Sequence, residues 1–252
     1  MAVSVCMATY RGERYVETQL RSILDQLASG DEVIVVDDCS TDATVEAIQR
    51  INDSRIALHV NDRNRREVYS FNRAIMLAKH DILFLADQDD IWLPGRAEQM
   101  AKSLRDTNAA LVSTNFEWMD HEEQHLKVSF DGVRACDSER RLKNILEIFL
   151  GKTNYFGCAM AFQRKLVPLI IPIPDYVESH DLWIALAANL IASNLHLDEA
   201  TLRKRRHSSN ATSTVSNRSL FLKLRARAIF VRSLLDLRAR QRRLAADCPS
   251  KP

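Results

Sequence analysis

Ile82-Leu83-Phe84-Leu85-Ala86-Asp87-Gln88-Asp89-Asp90 is the stretch that decides how this chain is read. Five apolar residues in a row predict a buried strand. Three carboxylates at its end repel one another by roughly 1 to 4 kcal/mol per pair at about 4 Å. A hard divalent cation, Mg²⁺ or Mn²⁺, relieves that repulsion through carboxylate oxygen, its preferred ligand. Mg²⁺ completes its shell with water and phosphate, so the cluster points to a phosphorylated substrate. The competing reading is a solvated acidic turn.

A second acidic strand end weighs against that alternative. Glu32-Val33-Ile34-Val35-Val36 also reads as a buried strand and runs into Asp37-Asp38-Cys39-Ser40-Thr41-Asp42. Capping of the helix that follows accounts for Thr41 or Asp42 but not for Asp37 and Asp38. Ligands of open α/β sheets gather beyond the carboxyl ends of the strands. The two acidic tips, 37–38 and 87–90, are therefore expected to converge on one cation.

The bulk composition fits a soluble globular chain of 252 residues, 46% apolar and 27% charged. Five scattered cysteines without a CxxC pair argue against a zinc site or a disulfide framework, and suit a reducing compartment. The start of the sequence lacks signal-peptide features, and no apolar run nears the ~18 residues that span a bilayer. These features predict a cytoplasmic protein. Charge is uneven: residues 215–252 hold ten Lys or Arg against two Asp, within a net charge of +2. A cationic tail on an acidic body implies an anionic partner, a membrane surface or a polyphosphate.

Outward from the opening stretch, strands are expected at 3–8, 33–36, 56–60, 82–86 and 109–114. Helices are expected at 15–27, 43–51, 68–79 and 94–104. Such alternation implies a mainly parallel sheet with helices on both faces. Beyond Asn115 the pattern loosens into a polar loop or hairpin (120–140), a helix (142–150), a short strand (158–162) and a helix (181–192). Residues 218–244 form a basic amphipathic helix.

Three blocks in this order, Val3-Ser4-Val5-Cys6-Met7-Ala8-Thr9-Tyr10-Arg11-Gly12, Val35 to Asp42 and Asp87 to Trp92, resemble the family 2 glycosyltransferases of the GT-A fold. The runs Leu85 to Pro94, Gly157 to Phe162, His180-Asp181-Leu182-Trp183 and Arg206-His207-Ser208-Ser209-Asn210 look like the bacterial rhamnosyltransferase-like branch. The resemblance covers residues 1–212: a nucleotide-sugar-binding half (1–115) and an acceptor-binding half (116–212), with 213–252 as a basic helical tail outside it.

It implies an inverting transfer of rhamnose or another hexose from a nucleoside diphosphate donor, dTDP- or UDP-linked, to a saccharide acceptor. Cell-surface polysaccharide synthesis on a lipid-linked acceptor is the setting it suggests, at the inner face of a bacterial plasma membrane. By the same resemblance Ala8, Thr9 and Tyr10 line the nucleotide pocket, Asp38 contacts base or ribose with Asp37 beside it, and Asn72, Arg73 and Gln88 meet the donor. Asp89 is the direct metal ligand, with Asp87 toward the donor ribose or the metal, Asp90 supporting, His207 on metal or diphosphate, and Arg206 on phosphate. Asp181 is the general base, which partial burial would tune toward neutrality. Trp183 walls the acceptor sugar or packs inward, Glu178 is the substitute base, and His180 shapes the pocket.

Two features depart from the family pattern. No glycine occurs in Asn61 to Phe71, and Lys204 and Arg205 stand where tyrosine is commoner. The tail, with residues 215–245 amphipathic, fits peripheral membrane contact, packing on the catalytic domain, or a homodimer. Metal-dependent nucleotidyl transfer or phosphohydrolysis is the second enzyme class, and a non-catalytic sugar-nucleotide-binding subunit is the third reading. No aromatic platform interleaves the basic residues, which excludes nucleic acid as the expected partner.

Overall fold

Four short hydrophobic segments build one half of the sheet. They are β1 (Val3–Thr9), β2 (Glu32–Asp37), β3 (Ile56–Val60) and β4 (Ile82–Ala86), all parallel. The computed structural model describes residues 2–107, 109–128, 130–152, 155–192, 194–206 and 219–247. The remaining strands are β5 (Ile91–Trp92), β6 (Leu111–Met119), β7 (His125–Leu126), β8 (Met160–Gln163) and β9 (Asn194–Arg205). Among the described residues the order is β3-β2-β1-β4-β8-β6-β9-β5, with β7 on the flank of β6. The sheet is mixed: β8 is antiparallel to β4 and β6, while β9 runs parallel to β6.

Helices cover both faces, as the alternating pattern predicts. On one face α1 (Val16–Leu24) buries Val16, Leu20, Ile23 and Leu24, the spacing of a single helical stripe. It shares a core with α2 (Thr44–Ile51), α4 (Arg96–Thr107), and Val5, Met7, Val33, Val35 and Phe84. Alternate strand residues Cys6, Ile34, Val36, Leu83 and Leu85 point the other way. There they meet α3 (Arg66–Leu77), α5 (Arg141–Leu150), the single turn α6 (Val167–Ile170) and α7 (His180–Ile191).

The tail helix α8 (Leu220–Ala246) lies across α5, α6 and α7. Leu237 is fully buried, and Phe230 stacks edge-on to Phe149 at 5.3 Å. Arg227 donates to the Leu150 carbonyl at 2.6 Å, Arg240 to that of Leu169 at 3.2 Å, and Tyr176 to Asp236 at 3.0 Å. The opposite side of α8 exposes Phe221, Leu224, Val231 and Leu235.

Strand β9 was not foreseen. Its charged sequence, with Asp198, Glu199, Arg203, Lys204 and Arg205, reads as a surface run, yet Lys204 and Arg205 are buried. Strand β6 also extends five residues past the expected end at Thr114, so residue 115 lies inside a strand.

Candidate active site

Strand β1 lies between β2 and β4, pairing Thr9 with Asp37 and Met7 with Ala86. The parallel directions bring all three carboxyl ends to one edge, where the loops after β1, β2 and β4 meet. The Tyr10 amide donates to Gln88 Oε1 at 2.8 Å, and Gln88 Nε2 donates back to the Tyr10 carbonyl at 3.1 Å. A Cβ on Gly12 would lie 2.3 Å from Gln88 Oε1, so any larger residue there would push the Gln88 amide aside. Gln88, expected at the donor, instead fastens the first loop to the acidic motif. The Tyr10 ring stays exposed at that edge, under the Arg11 guanidinium, with Ala8 half-buried and Thr9 buried below it.

The acids at the end of β2 do not converge on a cation with those of β4. Asp37 is fully buried, accepting from Thr9 Oγ1 at 2.9 Å and from Ser40 N and Oγ at 2.8 and 2.6 Å. Buried polar groups must be satisfied internally, and Asp37 is, by Thr9 and Ser40. Asp38 accepts from Asn61 Nδ2 and from the Arg65 and Arg66 amides at 2.7 to 2.8 Å. Arg66 adopts a left-handed φ of 69°, the conformation that glycine would favour. Its amide is held by Asp38, which stabilises the turn without one.

Nearby, Asn72 Oδ1 accepts the Ile173 amide at 2.8 Å, and Arg73 donates to the Val60 carbonyl and Asn61 Oδ1. These contacts brace α3 against its surroundings.

At the end of β4, Asp87, Asp90 and Cys158 each place a ligand atom within 4.8 Å of the others. Lys204 from β9 enters this group: its Nζ is 2.9 Å from Asp87 Oδ2, 3.8 Å from Asp90 Oδ2 and 3.3 Å from Cys158 Sγ. Burial opposes every charge here, yet the Lys204 ammonium holds the Asp87 carboxyl below the usual carboxylate range. Asp90 is pushed up to about 7 by burial, helped by the Asp89 and Asp87 charges and opposed by Lys204. Its Oδ1 accepts the Arg205 amide at 3.1 Å, while its buried Oδ2 makes no hydrogen bond. Burial also drives the Cys158 thiol well up.

Asp87, expected to share a metal ion, is thus engaged by an ammonium, and a divalent ion does not fit the 87/90/158 group beside it. Asp89 is half-buried in the same turn and lies outside that group. Arg205 fixes the turn by donating to the Asp89 carbonyl at 2.8 Å.

The N-terminal turn of α7 supplies Asp181. Its Oδ1 accepts the Leu182 amide at 2.8 Å and the Ser179 hydroxyl, which orients the carboxylate. His180 is buried, stacked on Phe71 at 4.0 Å. A Cβ on Gly157 would lie 2.8 Å from His180 Nε2 and 3.6 Å from Asp181 Cβ. Gly157 therefore touches the Asp181 turn while its neighbour Cys158 touches the acidic group, and the two functional clusters meet across one peptide. Glu67, on the exposed first turn of α3, has its carboxyl pushed up by partial desolvation and by the Asp87 and Asp181 charges, with His180 and Lys204 opposing.

Of the two readings of Trp183, the structure takes the inward one: it is 2% exposed and donates to the Ile170 carbonyl at 2.9 Å. Glu178, the substitute base, is paired to Arg225 of α8 at 2.6 Å. Arg206 extends β9 through its amide to the Met119 carbonyl at 2.8 Å, with its side chain exposed. His207 lies outside the described residues.

In open α/β sheets ligands bind beyond the carboxyl ends of the strands, the edge where the first loop here meets the acidic turn. The sequence model of glycosyl transferase family 2 matches residues 4–167, and the chain belongs to that family and is a glycosyltransferase. It is 27% identical over 188 residues to TuaG of Bacillus subtilis, a glycosyltransferase named for teichuronic acid biosynthesis, covering 73% of this chain and 71% of TuaG. It is 29% identical over 186 residues to WfgD of Escherichia coli, named as a UDP-Glc:alpha-D-GlcNAc-diphosphoundecaprenol beta-1,3-glucosyltransferase, covering 73% and 69%. The fold matches S. aureus TarS 1–349 in complex with UDP-GlcNAc at a TM-score of 0.67 and 20% identity, covering 95% of this chain and 72% of TarS. No described helix is long and apolar enough to cross a membrane.

Proposed function

We propose that this chain transfers a hexose, rhamnose or a relative, from a UDP- or dTDP-linked donor to a hydroxyl of a lipid-linked saccharide, with inversion, in bacterial cell-surface polysaccharide synthesis. The observation that carries this is the Gly157–Cys158 peptide, which sets the Asp181 turn against the acidic group at the end of β4. A base for the acceptor hydroxyl and the site of the leaving diphosphate thus share one edge. The names of WfgD and TuaG support the donor class and the polysaccharide setting.

The exposed Tyr10 ring flanks the nucleotide base, and the backbone of Ala8 and Thr9 lines the pocket. Asp181 takes the proton of the attacking hydroxyl at its carboxylate, held in aim by Ser179 and Leu182. Asp89 would hold a divalent ion, Mg²⁺ or Mn²⁺, whose charge stabilises the departing diphosphate. Phe221, Leu224, Val231 and Leu235, flanked by arginines, support contact of α8 with an anionic membrane surface where a lipid-linked acceptor resides.

Thermal-shift measurement of the full chain against UDP, dTDP and their sugars, with and without Mg²⁺ or Mn²⁺, tests the reading. A uridine or thymidine diphosphate sugar should raise Tm, and more so with metal. No stabilisation by any of them, together with steady phosphate release from simple phosphate esters, would replace sugar transfer by phosphohydrolysis.

A further inference from the structure

The group formed by Asp87, Asp90 and Cys158 has the makings of a cation site in which a cation is already built. Two buried or half-buried carboxylates and a thiol converge, and one of their oxygens, Asp90 Oδ2, is buried without a hydrogen bond. Asp90 itself is 1% exposed. An orphaned carboxylate oxygen is costly unless a positive charge is near. The Lys204 ammonium supplies that charge, in contact with Asp87 and Cys158 and 3.8 Å from the orphan.

The placement is fixed by the fold. Lys204 is 6% exposed, paired in the sheet with Trp118, and its ammonium lies 5.8 Å from the centre of the Phe156 ring. The next residue, Arg205, bonds to Asp90 and to the Asp89 carbonyl, so the strand cannot slide without breaking both.

We infer that Lys204 is the resident cation of this acidic strand end, holding the place between Asp87, Asp90 and Cys158 that a divalent ion would take.

Removing the ammonium should therefore uncover a thiolate-bearing metal site. Full-length protein, Lys204→Met and the double variant Lys204→Met/Cys158→Ser are titrated with Co²⁺, following the thiolate-to-cobalt absorption in the near ultraviolet. Lys204→Met should gain one saturable site per chain, bound at least about tenfold more tightly than any cobalt in the native protein. The double variant should lose the absorption. The same intensity and affinity in the native protein would overturn the inference. So would the absence of a gain in Lys204→Met with native circular dichroism. Should the methionine variant fail to fold, Lys204→Gln, which keeps a hydrogen-bond donor, takes its place under the same two outcomes.

Discussion

Gln88 and Tyr10 hold each other by a reciprocal pair of hydrogen bonds, side-chain amide to backbone amide, across 78 residues of sequence. The loop that follows β1 is thereby fixed to the acidic motif that follows β4. Replacing Gln88 by Ala should remove both bonds, at a cost of about 1–3 kcal/mol. Donor affinity, read by calorimetry, should fall roughly tenfold as the loop loosens. A Gly12→Ala variant should act alike, because its methyl displaces the same amide. Unchanged affinity in both would show that the loop holds its shape without this pair.

Asp181→Asn tests the base. Turnover should fall by about 10² to 10⁴ while donor binding, measured by thermal shift, stays at the native level. A variant that transfers at the native rate would move the base elsewhere in the same cleft, with Glu67 the first residue to replace.

The two sides of α8 call for different outcomes. Leu237→Ala empties a fully buried position and should cost about 2–5 kcal/mol in chemical denaturation. Leu224→Gln with Leu235→Gln alters only exposed positions and should leave stability within about 0.5 kcal/mol. The same double variant should reduce flotation with anionic liposomes several-fold. Equal flotation of native and variant protein would assign the outward face to another use.

Asp53 offers a clean pH effect away from the cleft. The Arg55 side chain hydrogen-bonds and charge-pairs with it, holding its carboxyl at about 2. Because the folded value is depressed, the stabilisation is complete above the unfolded value of about 4 and is lost as pH falls through about 2. Asp53→Asn should therefore lose on the order of 1–2 kcal/mol at neutral pH and little at pH 2. Parallel stability curves for the two proteins from pH 7 to pH 2 would disprove the coupling.

The strands of the first half were legible because their interiors are nearly all apolar, and two of them, β2 and β4, run into acids. Helix α7 was legible from its apolar run, whereas its cap, Ser179 accepting from the Leu182 amide, came from the structure. Strand β9 was not, because its buried Lys204 and Arg205 are stabilised by partners more than 80 residues away, which no local pattern reports. Asp37 misled for the mirror reason: an acid at a strand end suggests a ligand site, but its hydrogen bonds to Thr9 and Ser40 are internal. Trp183 follows the helix periodicity inward. One signal was available in the sequence: three carboxylates in four residues demand compensating charge, and Arg203-Lys204-Arg205-Arg206 is a basic run long enough to supply it.

Insertion of β8 between β4 and β6 welds what would otherwise be two lobes into a single hydrogen-bonded surface. A hinge between them would have to tear backbone ladders on both flanks of β8. On the proposed reading, motion is left to the rim loops, the gap between Asp181 and the acidic turn is a fixed gauge, and an acceptor is chosen by what fits it.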